Sequence, residues 1–220
     1  LARAQKLTPL PTAVVHPCDK EALAGAVHAR QLDLLDPVLV GPKDRITAVA
    51  EENSLEISGL TIFDAPHSHG SAEIAASLAR DGTVRALMKG ALHTDEVMSA
   101  VVSGSSGLRT ERRMSHVYVM DVPTYSKPLI ITDAAINIAP DLAIKADIIQ
   151  NAIDLALAIG IETPKVALLS AVETITPRLQ STVDAGALCK MADRGQITGG
   201  ILDGPLAFDN AVSMRAMATK

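Results

Sequence analysis

The stretch "LMKGALHTDEVM", Leu87 to Met98, runs from an apolar segment into Lys-Gly and then into a helix-like pattern. A lysine at the carboxyl end of a strand lies where open α/β sheets form their ligand crevice, and its ammonium is a point charge suited to phosphate. Gly90 lets a ligand or a second backbone come close. Thr94 is placed to cap the following helix, whose first free N–H groups would face the same crevice. Asp95 and Glu96 oppose that use, because they already offset the helix dipole and repel anions. Lys89 could equally be a solvated strand-end residue, and His93 either a phosphate ligand or a partner of the turn's own backbone.

A second cationic group is "GLRTERR", with Arg109, Arg112 and Arg113 inside five residues that carry no helical stripe. Forked guanidiniums bind phosphate oxygens bidentately, and one arginine here is expected to be functional. The alternative is a solvated turn partly neutralised by Glu111. "ITDAAINIAPD" puts Thr132, Asp133 and Asn137 at a strand end, where they either cap local backbone or line a crevice. "SAVETITPRL" repeats that arrangement with Glu173 and Arg178. "ITGGILDGPLAFDNA" is glycine-rich, with Asp203, Gly204 and Asp209 as its chemical residues, and it could also be a plain turn-rich connection. Of six histidines, only His67 and His69 form an H-x-H pair, and no carboxylate or thiol stands at matching ligand spacing, so no metal site is expected.

Composition limits the classes to which these groups can belong. The 220 residues are 48% hydrophobic but only 2% aromatic, with no Trp, so the core must be aliphatic, as in layered α/β proteins. Stacking platforms for single-stranded nucleic acid are excluded on that count. A net charge of −5 without a long basic run argues against nucleic acid or an anionic membrane as partner. No segment reaches the apolar length of a membrane span, and the N-terminal residues lack a signal peptide's apolar stretch. Cys18 and Cys189 lie far apart and read as buried hydrophobes in a reducing, cytoplasmic setting.

Positioning elements follow from hydrophobic periodicity. "TAVV", "PVLVG", "LTIFD" and "RALMKG" are strand candidates, each followed by a helical pattern, which predicts a parallel sheet with right-handed crossovers over residues 1–115. From 116 onward the topology changes, because "HVYVMDV" and "PLIITD" are too close in sequence to be other than antiparallel. Residues 116–220 are expected to form a second α/β domain. It contains a helix over "DLAIKADIIQNAIDLALAIG", a buried strand "KVALLS", a helix that starts near Pro177 and a last helix over "FDNAVSMRAMATK".

Taken in order, "MKGALHTDEVM", "GLRTERRMSHVYVMDVP", "PLIITDAAINIAPDLAIKADIIQNAIDLA", "SAVETITPRLQSTVDAGALCKMADRGQITGG" and "LDGPLAFDNA" closely resemble sequence blocks of the phosphate acetyl/butyryl transferase family. The resemblance covers nearly the whole chain. It implies two α/β domains around a cleft, of the isocitrate/isopropylmalate-dehydrogenase type, in a homodimer. It also implies reversible transfer of a short acyl group between coenzyme A and inorganic phosphate, with no cofactor beyond those substrates. Lys89 and an arginine of the 109–113 cluster are then expected to hold phosphate, with Asp209 as a weak candidate base. Gly90, His93, Thr94, Arg109, Thr132, Asp133, Asn137, Glu173, Arg178, Asp203 and Gly204 are expected to bind substrate.

Family members continue past "DNAVSMRAMATK" into a segment with a Ser-Arg dipeptide and an Asp to which catalytic roles are assigned. Those roles therefore fall on no residue up to Lys220. Two alternatives are a non-catalytic module that binds acyl-CoA or phosphate, and a metal- and NAD-dependent hydroxy-acid dehydrogenase of the same fold. The latter needs clustered aspartates that the sequence does not display.

Overall fold

In the computed structural model, which describes residue 2 and residues 4–217, the chain divides into two compact units, Leu1–Thr110 and Glu111–Lys220. The first is the expected strand-helix alternation. After a short 3-10 turn (Ala4–Lys6) come β1 (Leu10–Val15), α1 (Lys20–Gln31), β2 (Leu35–Gly41), α2 (Lys43–Glu52), β3 (Ile62–Asp64), α3 (Ser68–Arg80), β4 (Ala86–Lys89) and α4 (Thr94–Val102). The sheet order is β3-β2-β1-β4 and every pairing is parallel.

Burial on both faces explains why these strands read as continuous apolar runs. Ala13, Val15 and Val40 point to one side, where they pack with Ala72 and Ala75 of α3, Val84 and Leu92. Val14 and Leu39 point to the other, against Leu23 and Ala26 of α1 and Ile46 and Ala50 of α2. Helices therefore cover both faces, and the strand order reverses direction between β1 and β4. Such a switch point leaves a crevice at the carboxyl ends of the two strands.

The second unit holds β5 (Val117–Met120) and β6 (Leu129–Thr132), which pair antiparallel as the short connection required. It continues with α5 (Leu142–Ala158), β7 (Lys165–Leu169), α6 (Gln180–Asp193), β8 (Ile201–Leu206), α7 (Phe208–Val212) and α8 (Met214–Met217). Asp141 caps α5 by accepting the Ile144 N–H at 2.9 Å, and Gly160, at φ 96°, follows its end in the left-handed conformation glycine favours. The buried stripe of α5 is Ile148, Ile149, Ala152, Ile153 and Ala156. Leu142 and Leu157, which the helical spacing would also place with the apolar residues, are exposed.

Three expectations for this unit are corrected. The strand over Lys165–Leu169 alternates exposed and half-buried residues instead of being buried, because only one of its faces is covered among the described residues. The helix near Pro177 begins at Gln180. Thr182, fully buried, accepts the Thr176 N–H at 2.9 Å, and its one hydroxyl hydrogen is shared between the Thr176 and Leu179 carbonyls, which holds the preceding residues in a turn. The last helix breaks at Ser213, whose backbone is extended and whose Oγ accepts the Ala216 N–H at 3.3 Å. Residues 218–220 of that expected helix lie outside the described residues. Cys18 is buried as expected, whereas Cys189 is only half-buried; both are unpaired, and burial pushes both thiols up.

Candidate active site

The parallel register sets Val15 opposite Lys89 at the carboxyl ends of β1 and β4. Their continuations interlock. The Gly90 N–H donates to the Val15 carbonyl at 2.8 Å, and the Ala91 N–H to the His16 carbonyl at 2.9 Å. A Cβ on Gly90 would lie 2.6 Å from both the Val15 and His16 oxygens, so only glycine fits the contact. A depression of about 540 Å³ opens here, lined by His16, Asp19, Ser68, Lys89, Gly90, Ala91, Leu92, His93 and Glu96. It sits in the switch-point crevice, and the sheet topology starts α1, α3 and α4 at this same edge.

Lys89 answers the question its position raises by holding the turn first. Its Nζ donates to the Leu92 carbonyl at 2.8 Å and to the Gly90 carbonyl at 3.2 Å, which occupies two of its three N–H donors. The ammonium is thereby fixed in direction, with one donor left over. Thr94 does not cap α4: His93, with extended backbone, occupies the cap position and Thr94 is the first helical residue. The cause is Glu96, whose carboxylate reaches back to accept the His93 N–H at 2.8 Å, as in a capping box. Glu96 also accepts from the Ser68 hydroxyl at 2.5 Å and His69 Nδ1 at 2.9 Å. The Ser68 hydrogen bond, followed by that of the His93 N–H, holds its carboxyl below the usual range.

His16, Asp19, Ser68, Ser71 and Glu96 were not among the expected site residues. A histidine directly after the central strand, in "TAVVHPCD", was the available signal. His16 is buried and has φ 55°, a left-handed conformation uncommon outside glycine. Its Nδ1 lies 3.1 Å from the Ser71 Oγ, and burial, then the Arg45 charge, push its pKa down.

The arginine cluster separates by partner. Arg112 pairs with Asp154 of α5 at 2.5 Å, and the Arg113 N–H donates to Asp147 at 2.8 Å, so both serve the second unit's own packing. Arg109, in the first unit, is exposed and has no ion pair among the described residues.

The expected residues of the second unit lie outside the lining of the Lys89 depression. Thr132, Asp133 and Asn137 form one local cluster. Asp133 accepts from the N–H groups of His116 (3.1 Å), Ala135 (3.1 Å), Ile136 (3.2 Å) and Asn137 (2.9 Å), and from the Asn137 side-chain amide. Thr132 donates to the His116 carbonyl at 2.9 Å, and the Thr132–Asp133 peptide is cis. Arg178 is exposed and Glu173 half-buried in the β7–α6 connection. On β8, Asp203 accepts the Gly204 N–H at 2.9 Å, and Gly204 precedes a cis peptide to Pro205. Asp209 is exposed in the first turn of α7.

Burial alone would raise the Asp133 carboxyl, but the Asn137 side chain and the converging backbone N–H groups outweigh it and hold it far below the ordinary range. Asp133→Ala is expected to lower stability by about 2 kcal/mol, since several half-buried donors lose their acceptor. A depressed folded-state value contributes stability above the unfolded value of about 4 that is lost as pH falls through the folded one. Urea unfolding should therefore show the wild-type advantage over the variant at neutral pH, and its shrinkage in increasingly acidic buffer.

A parallel α/β unit with a cation held in its switch-point crevice suits an anionic ligand, and comparison with solved structures identifies the phosphotransacylase fold. The branched-chain phosphotransacylase from Enterococcus faecalis V583 superposes with a TM-score of 0.79 at 26% identity, over 96% of this chain and 73% of that one. The family described as phosphate acetyl/butaryl transferase matches residues 67–220. A phosphate acetyltransferase from Rhizobium meliloti is 54% identical over 100% of this chain and 70% of its own length. A phosphate butyryltransferase from Clostridium acetobutylicum is 39% identical over 90% and 66%. The chain belongs to the phosphate acetyl/butyryl transferase family. It spans 63–70% of the length of the phosphate acetyltransferases it matches at 54–56% identity.

Proposed function

We propose that the protein transfers an acetyl group between coenzyme A and inorganic phosphate: acyl-CoA and phosphate give acyl phosphate and free CoA. The observation that carries this reading is the 54% identity to a phosphate acetyltransferase along the whole chain. Lower identity, 39%, to a butyryltransferase favours acetyl as the preferred group. The same relatives favour acyl transfer over the binding-module and dehydrogenase readings.

In the acyl phosphate-forming direction a phosphate oxygen attacks the thioester carbonyl, a tetrahedral oxyanion forms, and the C–S bond breaks to release the CoA thiolate. Phosphate must be desolvated and aimed for this step. Lys89, already fixed by two carbonyls, supplies a cation that needs no reorganisation, and Gly90 lets backbone approach it. His93 and Arg109 complete the phosphate end in this reading. In the reverse direction a carboxylate would take the CoA thiol proton, a role for which Asp209 is the weak candidate. Thr94 at the helix start, and Thr132, Asp133, Asn137, Glu173, Arg178, Asp203 and Gly204 of the second unit, are assigned to substrate contact on the family resemblance.

No cofactor beyond coenzyme A and phosphate is required by this chemistry. The two unpaired cysteines support a reducing, cytoplasmic setting, and the resemblance supports a homodimer. No described helix is long and apolar enough to cross a membrane.

The test is CoA release from acetyl-, propionyl- and butyryl-CoA, followed with a thiol reagent, with and without phosphate. It is made on the 220-residue chain and on a form carried on to the length of its relatives. Phosphate-dependent release, fastest with acetyl-CoA, is the expected result. Release from neither form with any acyl-CoA would leave only a binding role.

A further inference from the structure

His16 is more than 90% buried, yet it lines the crevice beside Lys89 and Gly90. Its ring has one side committed. Ser71 Oγ donates its single hydrogen to the His67 carbonyl at 2.9 Å. With its hydrogen placed there, that hydroxyl meets His16 Nδ1, 3.1 Å away, as an acceptor, the arrangement in which Nδ1 carries the imidazole hydrogen. Gly41 packs against the same edge: a Cβ there would lie 3.6 Å from Nδ1. Nε2 is left with a lone pair and has no hydrogen-bond partner among the described residues. Burial and the nearby Arg45 both disfavour a protonated ring, although Glu96 pulls the other way.

The crevice is thus lined both by a held cation and by an imidazole with one ring nitrogen uncommitted. Lys89 keeps one donor for a ligand. Glu96, which lines the same depression, is engaged by Ser68, His69 and the His93 N–H. A site of this kind suits an oxyanion that also carries a hydrogen. Inorganic phosphate near neutral pH always has at least one P–OH group, whereas sulfate has none and would set its lone pairs against that of Nε2.

We infer that His16 is a specificity-determining residue whose Nε2 accepts the P–OH hydrogen of inorganic phosphate, with Ser71 as the positioning residue that fixes the ring's tautomer. This rests on the phosphate-using reading above and names what selects the anion. One hydrogen bond of this kind is worth about tenfold in affinity. Sites built to hydrogen-bond a substrate O–H reject analogues that lack it.

The test is calorimetric titration of inorganic phosphate, arsenate and sulfate at constant ionic strength into the protein carried on to its relatives' length. Wild type, His16→Asn and Ser71→Ala are compared. Asparagine tolerates φ near 55° and keeps a side-chain N–H at the Nδ1 position for Ser71, but it removes the Nε2 acceptor. Wild type is expected to bind phosphate and arsenate at least about tenfold tighter than sulfate. His16→Asn should lose about tenfold for phosphate and arsenate and nothing for sulfate. Ser71→Ala frees the ring to carry its hydrogen on Nε2, so sulfate should tighten relative to phosphate. Equal wild-type binding of phosphate and sulfate, no binding of either, or parallel weakening of both in His16→Asn would overturn the inference. Selective phosphate binding without CoA release would instead defeat the transferase reading and leave the role of His16 standing.

Discussion

Lys89→Met is expected to cut phosphate-dependent CoA release by about two to three orders of magnitude, the usual consequence of removing one preorganised electrostatic donor from a reacting centre. The side chain keeps similar length and packing but loses the cation. Its effect should appear as a higher KM for phosphate together with a lower kcat, because the ammonium both holds the anion and aims it. The KM for acyl-CoA should stay close to wild type. Lys89 also ties the Gly90 and Leu92 carbonyls, so part of any loss could come from a loosened turn. A melting curve separates the two: a fall of a few degrees with a hundredfold loss of turnover assigns the effect to charge. Unchanged turnover would remove Lys89 from the phosphate site.

Gly90→Ala should have the largest effect on stability. The added methyl carbon would stand 2.6 Å from the Val15 and His16 carbonyl oxygens, both on buried backbone at the central strand's end. Neither oxygen can retreat without breaking the hydrogen bonds from Gly90 and Ala91 that join β4 to β1. A cost of about 3 kcal/mol is expected, equivalent to a drop in melting temperature of roughly 6–12 °C for a chain of this size. Activity should fall further than stability, because the same displacement moves Lys89 and His16 together. Gly82→Ala gives the comparison: its site has nothing within 4 Å, and its positive φ of 74° leaves only backbone strain. A Gly90→Ala protein that melts with wild type would show that the interlocked strand ends do not set the site.

The sequence displayed most of the first unit because its strands are buried on both sides and its helices follow at regular intervals. Position relative to a strand end was enough to single out Lys89 and Gly90. His16 escaped notice because its significance depends on β4 lying beside β1, a long-range pairing that no local pattern encodes. Thr94 was misassigned as a cap for a similar reason. A threonine at that place is a good capping residue by type, but Glu96 reaching back to the His93 N–H moves the helix start by one residue. In the second unit, strand polarity was legible for β5 and β6 from their spacing. The exposure of β7 was not, since an apolar run reads the same whether one face or two are covered. The three arginines of "GLRTERR" were equivalent in sequence, and only the carboxylates of α5 distinguish Arg112 and Arg113 from Arg109.

The central claim is that phosphate itself is the acyl acceptor. The most direct test follows acetyl-CoA and inorganic phosphate with the protein by phosphorus NMR, alongside a thiol assay for CoA. The account predicts that an acetyl phosphate resonance grows in step with free CoA and that the reaction reverses when CoA is added back. Release of CoA with free acetate and an unchanged phosphate resonance would contradict it and make the protein a thioesterase.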